Sequence, residues 1–295
     1  MFAEGGFLVN QSIHPPSSAA PKPARGQGWI LALKIIGFTF LWLMLFGLLA
    51  GLTAAGAVAG YVASLVKDDP VRDRAYIEQK INENSQTGFV YFRDGSLVGQ
   101  LRTEEDRRPI TYDEIPKVVI DSVLAIEDKD FFKHIGIDMM ALLRAVKQQV
   151  LNESVQTGGS TITQQVARRV FLTLDQTQSR KAKEIFLSMR LERFLTKQEI
   201  LTAYLNKIPY GNGSSGYNLY GIKAAAKGIF GIDNLHDLNL AQAAYLAGLP
   251  QRPSAYSAFT SKGEFNEANF KRALDRQKLV LRRMYEEKMI TKEEY

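Results

Sequence analysis

The feature that most constrains the fold of this sequence is a stretch of 32 residues, 35–66, that contains no charged side chain. Phe, Leu, Trp and Met fill its centre. A helix needs about 20 apolar residues to cross a membrane, so this stretch is long enough. A cleavable signal peptide is the alternative, because small residues follow at 55–59, but its apolar core is only about 7–15 residues long. We therefore predict a transmembrane anchor over residues 29–66.

The segments on either side of the anchor predict the organisation of the rest of the chain. Residues 1–28 are rich in Pro, Ser, Ala and Gly, which is typical of a disordered tail. Residues 67–87 are polar and predict a linker or a short helix, and residues 88–295 are long enough to form one domain. Three basic residues, Lys22, Arg25 and Lys34, precede the uncharged stretch 35–66 and three follow it, so charge alone leaves the orientation of the anchor open.

Composition excludes some chemistry without choosing a function. The chain has no cysteine, which excludes disulfides and thiolate metal sites. The net charge of +6 suits anionic lipid, phosphorylated substrates or nucleic acid equally well.

Hydrophobic periodicity predicts a mainly α domain with one small β-hairpin. Apolar segments on both sides of Asp94-Gly95 indicate the hairpin. A loop rich in Gly, Asn, Ser and Tyr is predicted over residues 209–221. A helix is predicted to begin near Thr161, and others at residues 138–150, 180–195, 197–205, 240–249 and 267–287.

Glu184 lies on the apolar face of a predicted helix. Arg180 and Lys181 precede it by about one turn, and Leu187 and Leu191 continue the same stripe. A carboxylate on a core-facing stripe needs partners, which these two cations supply. A structural ion pair and an active-site carboxylate both remain open at this point.

Glu127 stands at the end of another apolar helical face, and the aromatic pair Phe131-Phe132 follows four residues later. Nearby acids and lysines indicate a solvated helix end as one interpretation. The other is a carboxylate against aromatic walls, with a raised pKa and the role of a base. His134 follows, but a lone histidine is more often a packing residue than a ligand.

A capped helix start forms the third group, residues 158–165. Thr161 and Gln164 have capping-box spacing, and two glycines before them allow close backbone approach to an anion. Arg168 and Arg169 follow within two turns. An ordinary capped helix and a site for a phosphorylated sugar both fit this pattern.

Together these segments resemble the peptidoglycan glycosyltransferase domain of family 51, which occurs in class A penicillin-binding proteins and monofunctional glycosyltransferases. The resemblance covers residues 88–295 and implies a mainly α, lysozyme-like domain. It also implies a single-pass protein of the bacterial inner membrane, with the N-terminus in the cytoplasm and the catalytic domain on the periplasmic or extracellular side. The matching segments, in order, are residues 127–136, 158–165, 180–184, 204–206, 220–226, 247–251 and 276–284.

The family resemblance implies polymerisation of lipid II into β-1,4 glycan strands, with inversion and release of undecaprenyl pyrophosphate. Glu127 matches the general base that deprotonates the acceptor 4-hydroxyl. Glu184 matches the second essential glutamate, at the donor side, which is expected to help hold a divalent cation, Mg²⁺ or Mn²⁺, or the leaving group. The residues implied to line or support the cleft are Asp128, Phe131, His134, Ser160, Thr161, Gln165, Arg168, Arg180 and Lys181.

The same resemblance implies the binding partners, and the sequence departs from the family pattern at one site residue. The expected partners are lipid II, the growing glycan strand, membrane lipid and a cell-wall synthesis complex, but no nucleic acid. Residues 138–150 and the loop that follows would supply a flexible jaw near the membrane, although ordinary helix packing explains the pattern of 138–150 as well. Family members often carry Lys where Arg168 stands, and Arg and Lys bind phosphate differently.

Two other functions and two chain types remain as alternatives. A lytic muramidase shares the helical fold, but glycan cleavage involves no pyrophosphate and gives no reason for cations beside Glu184. A noncatalytic wall-binding scaffold would not need both glutamates. Ser64 and Lys67 fit a Ser-x-x-Lys pattern without any following Lys-Thr-Gly, so no transpeptidase is predicted in these residues. A fragment of a class A protein and a monofunctional enzyme are both consistent with the sequence.

Overall fold

A computed structural model describes residues 27–67, 69–83, 88–100, 105–150, 159–172 and 178–295. The chain divides into two compact units, Met1–Tyr61 and Val62–Tyr295. Residues 1–26 of the predicted tail, 1–28, and the glycine at 158 lie outside the described residues, while residues 27 and 28 belong to a helix.

The first unit contains most of helix α1, Gln27–Val66, which continues into the second unit. Its apolar side chains are exposed, and no part of its most hydrophobic 18-residue stretch is buried. The hydroxyls of Thr39 and Thr53 donate to the carbonyls of Ile35 and Leu49 one turn earlier, at 2.8 and 3.0 Å. Such internal bonding satisfies polar groups where water is absent. By length and composition this helix is able to cross a membrane, in agreement with the predicted anchor.

A short helix occupies part of the predicted linker, residues 67–87. Helix α2 spans Arg74–Asn82, and Asp73 caps it by accepting a hydrogen bond from the Tyr76 amide at 2.8 Å. Ile77 and Ile81, one turn apart, are buried in the core of the second unit. The short-helix alternative is therefore observed, and this segment packs as part of the domain.

The predicted hairpin is confirmed. Strands β1, Phe89–Tyr91, and β2, Leu97–Gln100, pair antiparallel. Gly95 has a φ of 85° at the turn, and the Ser96 amide donates to Asp94 at 2.9 Å. A left-handed conformation there favours glycine, which agrees with the Asp-Gly signal.

A second sheet replaces the loop that was predicted over residues 209–221. Its strands are β3, Glu105–Arg107, β4, Pro209–Asn212, and β5, Asn218–Tyr220. The order is β3-β5-β4, with β5 antiparallel to β4 and parallel to β3. The loop prediction was wrong because these strands are too short to show alternation, and because the pairing of β5 with β3 joins segments far apart in the sequence.

Helices form most of the rest of the domain in the described residues, so the predicted mainly α class is confirmed. Helices α3, α9 and α11 pack against one another, while α5 packs against α6 and α7. The helix bounds are α3 Lys117–Glu127, α4 Met139–Val150, α5 Ile162–Phe171, α6 Gln178–Phe194, α7 Lys197–Lys207, α8 Ile222–Ala225, α9 Leu240–Gly248, α10 Pro253–Tyr256 and α11 Glu267–Glu286.

Helix α4 forms the segment that the resemblance assigns to the jaw. Met139, Met140 and Leu143 expose more than half of their surfaces, whereas Leu142 is half-buried. The side chains at 146 and 147 lie outside the described residues. An exposed apolar row is consistent with lipid contact, which stays a prediction.

Candidate active site

Glu127 is the last residue of α3. The helix is anchored by Val119 and Val123, which are both buried, and it ends because Asp128 adopts an extended φ of −164°. The Glu127 side chain is partly exposed, and its Oε2 accepts a hydrogen bond from Nε2 of Gln165 at 2.7 Å. The glutamate therefore sits at a helix end, held by a neutral donor from another helix.

The surroundings of Glu127 favour a weaker acid than an ordinary glutamate. Burial of the carboxyl group raises its pKa, and the nearby Asp128 carboxylate raises it further. The Gln165 hydrogen bond opposes this increase, as do the positive charges of Arg276 and Arg168. Because the first effect is the largest, the net pKa lies above the usual value. A carboxylate of raised pKa is better suited to accept a proton near neutral pH.

Asp128 and His134 fasten the end of α3 to the start of α5. Both carboxylate oxygens of Asp128 lie 3.0 Å from Nε2 of His134, and Oδ2 also accepts from the Ile162 amide at 2.9 Å. The Gly136 amide donates to Nδ1 of His134 at 3.1 Å, so Nε2 carries the proton that faces Asp128. Asp128 and His134, which were expected to line or support the cleft, therefore hold the end of α3 against the start of α5.

The loop between α3 and α4 is locked in place by a glycine and a fully buried aromatic ring. Gly136 has a φ of 94°, and a Cβ there would meet the Ser188 backbone at 2.8 Å. Its carbonyl accepts from the Thr161 hydroxyl at 2.7 Å. Phe131 has no exposed surface, and the Lys197 ammonium lies 4.4 Å from its ring centroid. Phe131 and Thr161 were expected either to line the cleft or to support it. Both are buried, and such positions match support of the cleft.

Glu184 lies on α6 and has no exposed side-chain surface. Its Oε1 contacts Nζ of Lys181 at 3.2 Å and Nη1 of Arg168 at 3.4 Å. Among the described residues its buried Oε2 has no hydrogen-bond partner. The predicted apolar stripe is confirmed, and the carboxylate on it is matched by two cations that are themselves partly exposed.

Lys181 connects Glu184 to the start of α5. Its Nζ also donates to the Ser160 hydroxyl at 2.8 Å and to Oε1 of Gln164 at 3.2 Å. Arg180, one turn before Glu184 on the same helix, is half-buried. The region around Glu184 thus combines ammonium, guanidinium and hydroxyl groups, the groups that bind phosphate oxygens.

Helix α5 joins the two glutamates. Gln165 and Arg168 are three positions apart, so they project from one face of this helix. Gln165 reaches Glu127 and Arg168 reaches Glu184. A single helical face therefore positions both carboxylates, each with a different kind of partner.

Several residues near Glu127 were not predicted as site residues. Tyr204 and Tyr210 are buried, and the Glu127 carboxylate contributes to raising the pKa of both, after burial itself. Arg276, from α11, interacts electrostatically with Glu127, and its stem packs against Gly248. The family motifs covered Tyr204 and Arg276 but not Tyr210, and tertiary packing is what brings the three residues near Glu127.

A divalent cation fits this site only in part. Among the described residues, no group of three or more His, Asp or Glu side chains could hold a metal ion. The unpartnered Oε2 of Glu184 could supply one oxygen ligand. Mg²⁺ is often held by one or two carboxylates together with substrate phosphates and water, so one protein ligand is compatible with such a cation.

Comparison with known proteins places residues 94–285 in the transglycosylase family. Penicillin-binding protein 1A of Clostridium perfringens strain 13 is 37% identical over 258 residues, which cover 86% of this chain and 36% of that protein. Penicillin-binding protein 1A of Haemophilus influenzae is 42% identical over 214 residues, covering 72% and 23%, respectively. The chain therefore spans about a quarter to a third of the length of these relatives.

A solved structure gives a weaker comparison. The 2.6 Å crystal structure of penicillin-binding protein 1A from Haemophilus influenzae is 27% identical, with a TM-score of 0.38 over 72% of this chain and 20% of that one. At that score the superposition does not establish a shared fold. The family assignment rests instead on the match over residues 94–285, which confirms the predicted resemblance. The chain therefore belongs to the transglycosylase family.

Proposed function

We propose that this domain is a peptidoglycan glycosyltransferase that polymerises lipid II into β-1,4 glycan strands for the cell wall. The observation that supports this most directly is the α5 face that contacts both glutamates. Glu127 has a neutral partner and a raised pKa, while Glu184 is buried between two cations. Such a division of environments separates a proton-transfer site from a phosphate site.

Glu127 acts as the general base. It takes the proton from the 4-hydroxyl of the acceptor sugar while that oxygen attacks the anomeric carbon of the donor. The bond between this carbon and the pyrophosphate oxygen breaks, and the α-linked donor becomes a β-linked product by inversion. The Gln165 hydrogen bond orients the carboxylate for this step.

The cations beside Glu184 stabilise the leaving group. Pyrophosphate is a good leaving group, so neutralising its charge matters more than protonating it. Arg168 and Lys181 are partly exposed and can reach phosphate oxygens, and Ser160 adds a hydroxyl. Glu184 holds both cations in position. A divalent cation bound with the help of Glu184 would add further charge neutralisation at the pyrophosphate.

The two alternatives explain fewer of these contacts. A muramidase cleaves a glycosidic bond and has no pyrophosphate to neutralise, so the cations around Glu184 would lack a substrate role. A noncatalytic scaffold gives no reason for a partly exposed glutamate of raised pKa beside a dedicated donor. Neither alternative accounts for both carboxylate environments.

The setting proposed for this reaction is the bacterial inner membrane. Helix α1 would anchor the chain in a single pass, with the N-terminus in the cytoplasm and the domain outside. A lipid-linked substrate keeps the reaction at the membrane surface, which gives the anchor a purpose. Membrane lipid and a cell-wall synthesis complex are the further partners that we propose.

The test is polymerisation by the full chain in detergent. Fluorescent lipid II is incubated with the protein, with and without Mg²⁺, and the products are separated by length on a gel. We expect a ladder of glycan strands with the unaltered protein and with Glu264→Gln, which changes an exposed glutamate, but none with Glu127→Gln. Absence of product across detergents and Mg²⁺ concentrations, or shortening of preformed strands instead, would contradict the proposal.

A further inference from the structure

Two tyrosine hydroxyls behind Glu127 are buried without protein partners. Tyr204, on α7, exposes 2% of its surface, and Tyr210, on β4, exposes none. Among the described residues neither hydroxyl has a hydrogen-bond partner. Leaving a buried hydroxyl unpaired costs roughly 1–3 kcal/mol, so such groups usually have a partner, often an ordered water.

Both hydroxyls belong to the electrostatic surroundings of Glu127. Burial raises the pKa of each tyrosine, the Glu127 carboxylate raises it further, and Tyr210 acts on Tyr204 in the same direction. Each hydroxyl therefore keeps its proton and is available as a donor. Neither lies close enough to Glu127 for a direct hydrogen bond, since Gln165 is the described side chain that donates to this carboxylate.

The remaining charged groups around Glu127 come from three other elements. Asp128 follows it at the end of α3, Arg168 projects from α5, and Arg276 projects from α11. Nε of Arg276 is also buried without a described hydrogen-bond partner. Three buried donors thus interact with one carboxylate, and none of them bonds to it directly.

We propose that Tyr204 and Tyr210 hold internal water against Glu127, and that they are positioning residues for the general base. A buried water typically makes about three hydrogen bonds to otherwise unsatisfied polar groups, and the two hydroxyls and the carboxylate supply this number. Water that accepts from the tyrosines and donates to Glu127 fixes the direction of the carboxylate and stabilises its negative charge. The catalytic meaning of this arrangement rests on the proposed function, but the hydrogen bonds do not.

Substitution by phenylalanine separates this proposal from a purely structural role. Tyr204→Phe and Tyr210→Phe remove only the hydroxyl and retain the ring. If each hydroxyl is unpaired, its removal relieves a buried polar group and raises the denaturation midpoint at every pH. If it supports a water bound to Glu127, its removal lowers the midpoint, because that water loses a partner.

The expected loss of stability depends on pH in a defined direction. The water stabilises the charged form of Glu127, so the loss is small at pH values where this carboxyl is protonated and grows as the pH rises through its raised native pKa. In a Glu127→Gln background the loss should shrink, because the charged partner is gone. Tyr245→Phe is the matched control, since Tyr245 is equally buried and unpartnered but lies outside the surroundings of Glu127.

Two measurements on the full chain in detergent test the proposal. Urea midpoints are compared between about pH 4 and pH 8 for the three Phe variants, with and without Glu127→Gln. The acidic limb of the kcat/KM profile for lipid II is then measured, and it should move up by about one pH unit in Tyr204→Phe or Tyr210→Phe but not in Tyr245→Phe.

Different results of these two measurements would contradict different parts of the proposal. Midpoints that rise or stay constant at every pH, as in Tyr245→Phe, would overturn the water-mediated contact. A pH-dependent loss of stability in a protein that does not polymerise lipid II would keep the contact and reject the proposed function. An acidic limb that does not move, in an active protein with destabilised variants, would remove the positioning role.

Discussion

Gln165 donates a hydrogen bond to Glu127 across 2.7 Å, and the same face of α5 carries Arg168 to Glu184. The helix that begins at the Thr161 cap thus sets the orientation of both carboxylates. A small rotation of α5 would therefore disturb the proposed base and the proposed phosphate site together. Two hydrogen bonds hold the start of α5 in place, one from the Ile162 amide to Asp128 and one from the Thr161 hydroxyl to the Gly136 carbonyl.

Removal of the Gln165 donor should lower the activity at low pH, because a larger fraction of Glu127 is then protonated. The Gln165 hydrogen bond lowers the pKa of Glu127 against the larger effect of burial, so Gln165→Met raises this pKa further. We expect the acidic limb of kcat/KM to move up by about one unit, with an activity loss of about tenfold below the limb. The pH profile of lipid II polymerisation measures this. Gln277→Met is the control, because Gln277 also donates a hydrogen bond, at 2.6 Å, but to the Ala241 carbonyl. Equal profiles for the two variants would contradict the assigned role.

Glu127→Gln should abolish polymerisation and stabilise the fold at neutral pH. A carboxyl group whose native pKa is raised binds more protons in the folded state than in the unfolded state, so the stability of the natural chain falls as pH rises from about 4.5 to the native pKa. The amide cannot ionise and avoids this loss. Urea midpoints should therefore be higher for Glu127→Gln than for the natural chain near pH 8, and similar near pH 4. Glu264→Gln, at an exposed position, should show no such pH dependence. A lower midpoint near pH 8 would mean that the charged form is well satisfied.

Local sequence patterns predicted the features that depend on interactions between residues close together in the chain, such as helix caps, apolar helix faces and tight turns. A helix start near Thr161 was predicted, and Thr161 caps α5 by accepting from the Gln164 amide, because capping needs only a hydroxyl at a helix start. The burial of Glu184 was predicted because Leu187 and Leu191 share its stripe, and it was found without exposed surface. The Asp94-Gly95 turn was predicted from its dipeptide.

Contacts between distant segments could not be predicted in this way. The β3–β5 pairing joins residues 105–107 to 218–220, and no local pattern specifies that partnership. The approach of Tyr210 and Arg276 to Glu127 depends likewise on how β4 and α11 pack around α3. A family motif covers Arg276 but none covers Tyr210, and no motif states which side chains would meet.

Alanine should be tolerated poorly at Gly136 but better at Gly95, although both glycines have a positive φ. A Cβ at Gly136, with its φ of 94°, would meet the Ser188 backbone at 2.8 Å. We expect Gly136→Ala to lower the free energy of unfolding by about 2–4 kcal/mol, from backbone strain plus the clash. Gly95, at φ 85°, has nothing within 4 Å of such a Cβ, so Gly95→Ala should cost only about 1 kcal/mol. Chemical denaturation measures both. Equal losses would show that Ser188 does not restrict the loop.

Deletion of residues 1–61 should release the domain from membranes. The remaining unit, Val62–Tyr295, contains the whole helical core, while the deleted part contains most of the apolar helix. We expect the shortened chain to be soluble or weakly associated with lipid, as judged by flotation with vesicles at low and high salt. Integral association that resists carbonate extraction would mean that another segment inserts into the bilayer.

Arg168 and Lys181 should be needed for the leaving group rather than for the base. Arg168→Met and Lys181→Met each remove one cation from beside Glu184, and we expect kcat to fall about 10²–10³-fold without movement of the pH limb that belongs to Glu127. Arg168→Lys keeps the charge and should stay within about tenfold of the natural chain, because an ammonium still neutralises phosphate although it lacks the planar donor pair of a guanidinium. Lys183→Met is the control on the same helix, since Lys183 lies 3.8 Å from Asp69 and makes no described contact with Glu184. Steady-state polymerisation of lipid II measures all four variants. If Lys183→Met lowered kcat as much as Lys181→Met, the general positive charge of α6 would account for the effect and the specific contact with Glu184 would not.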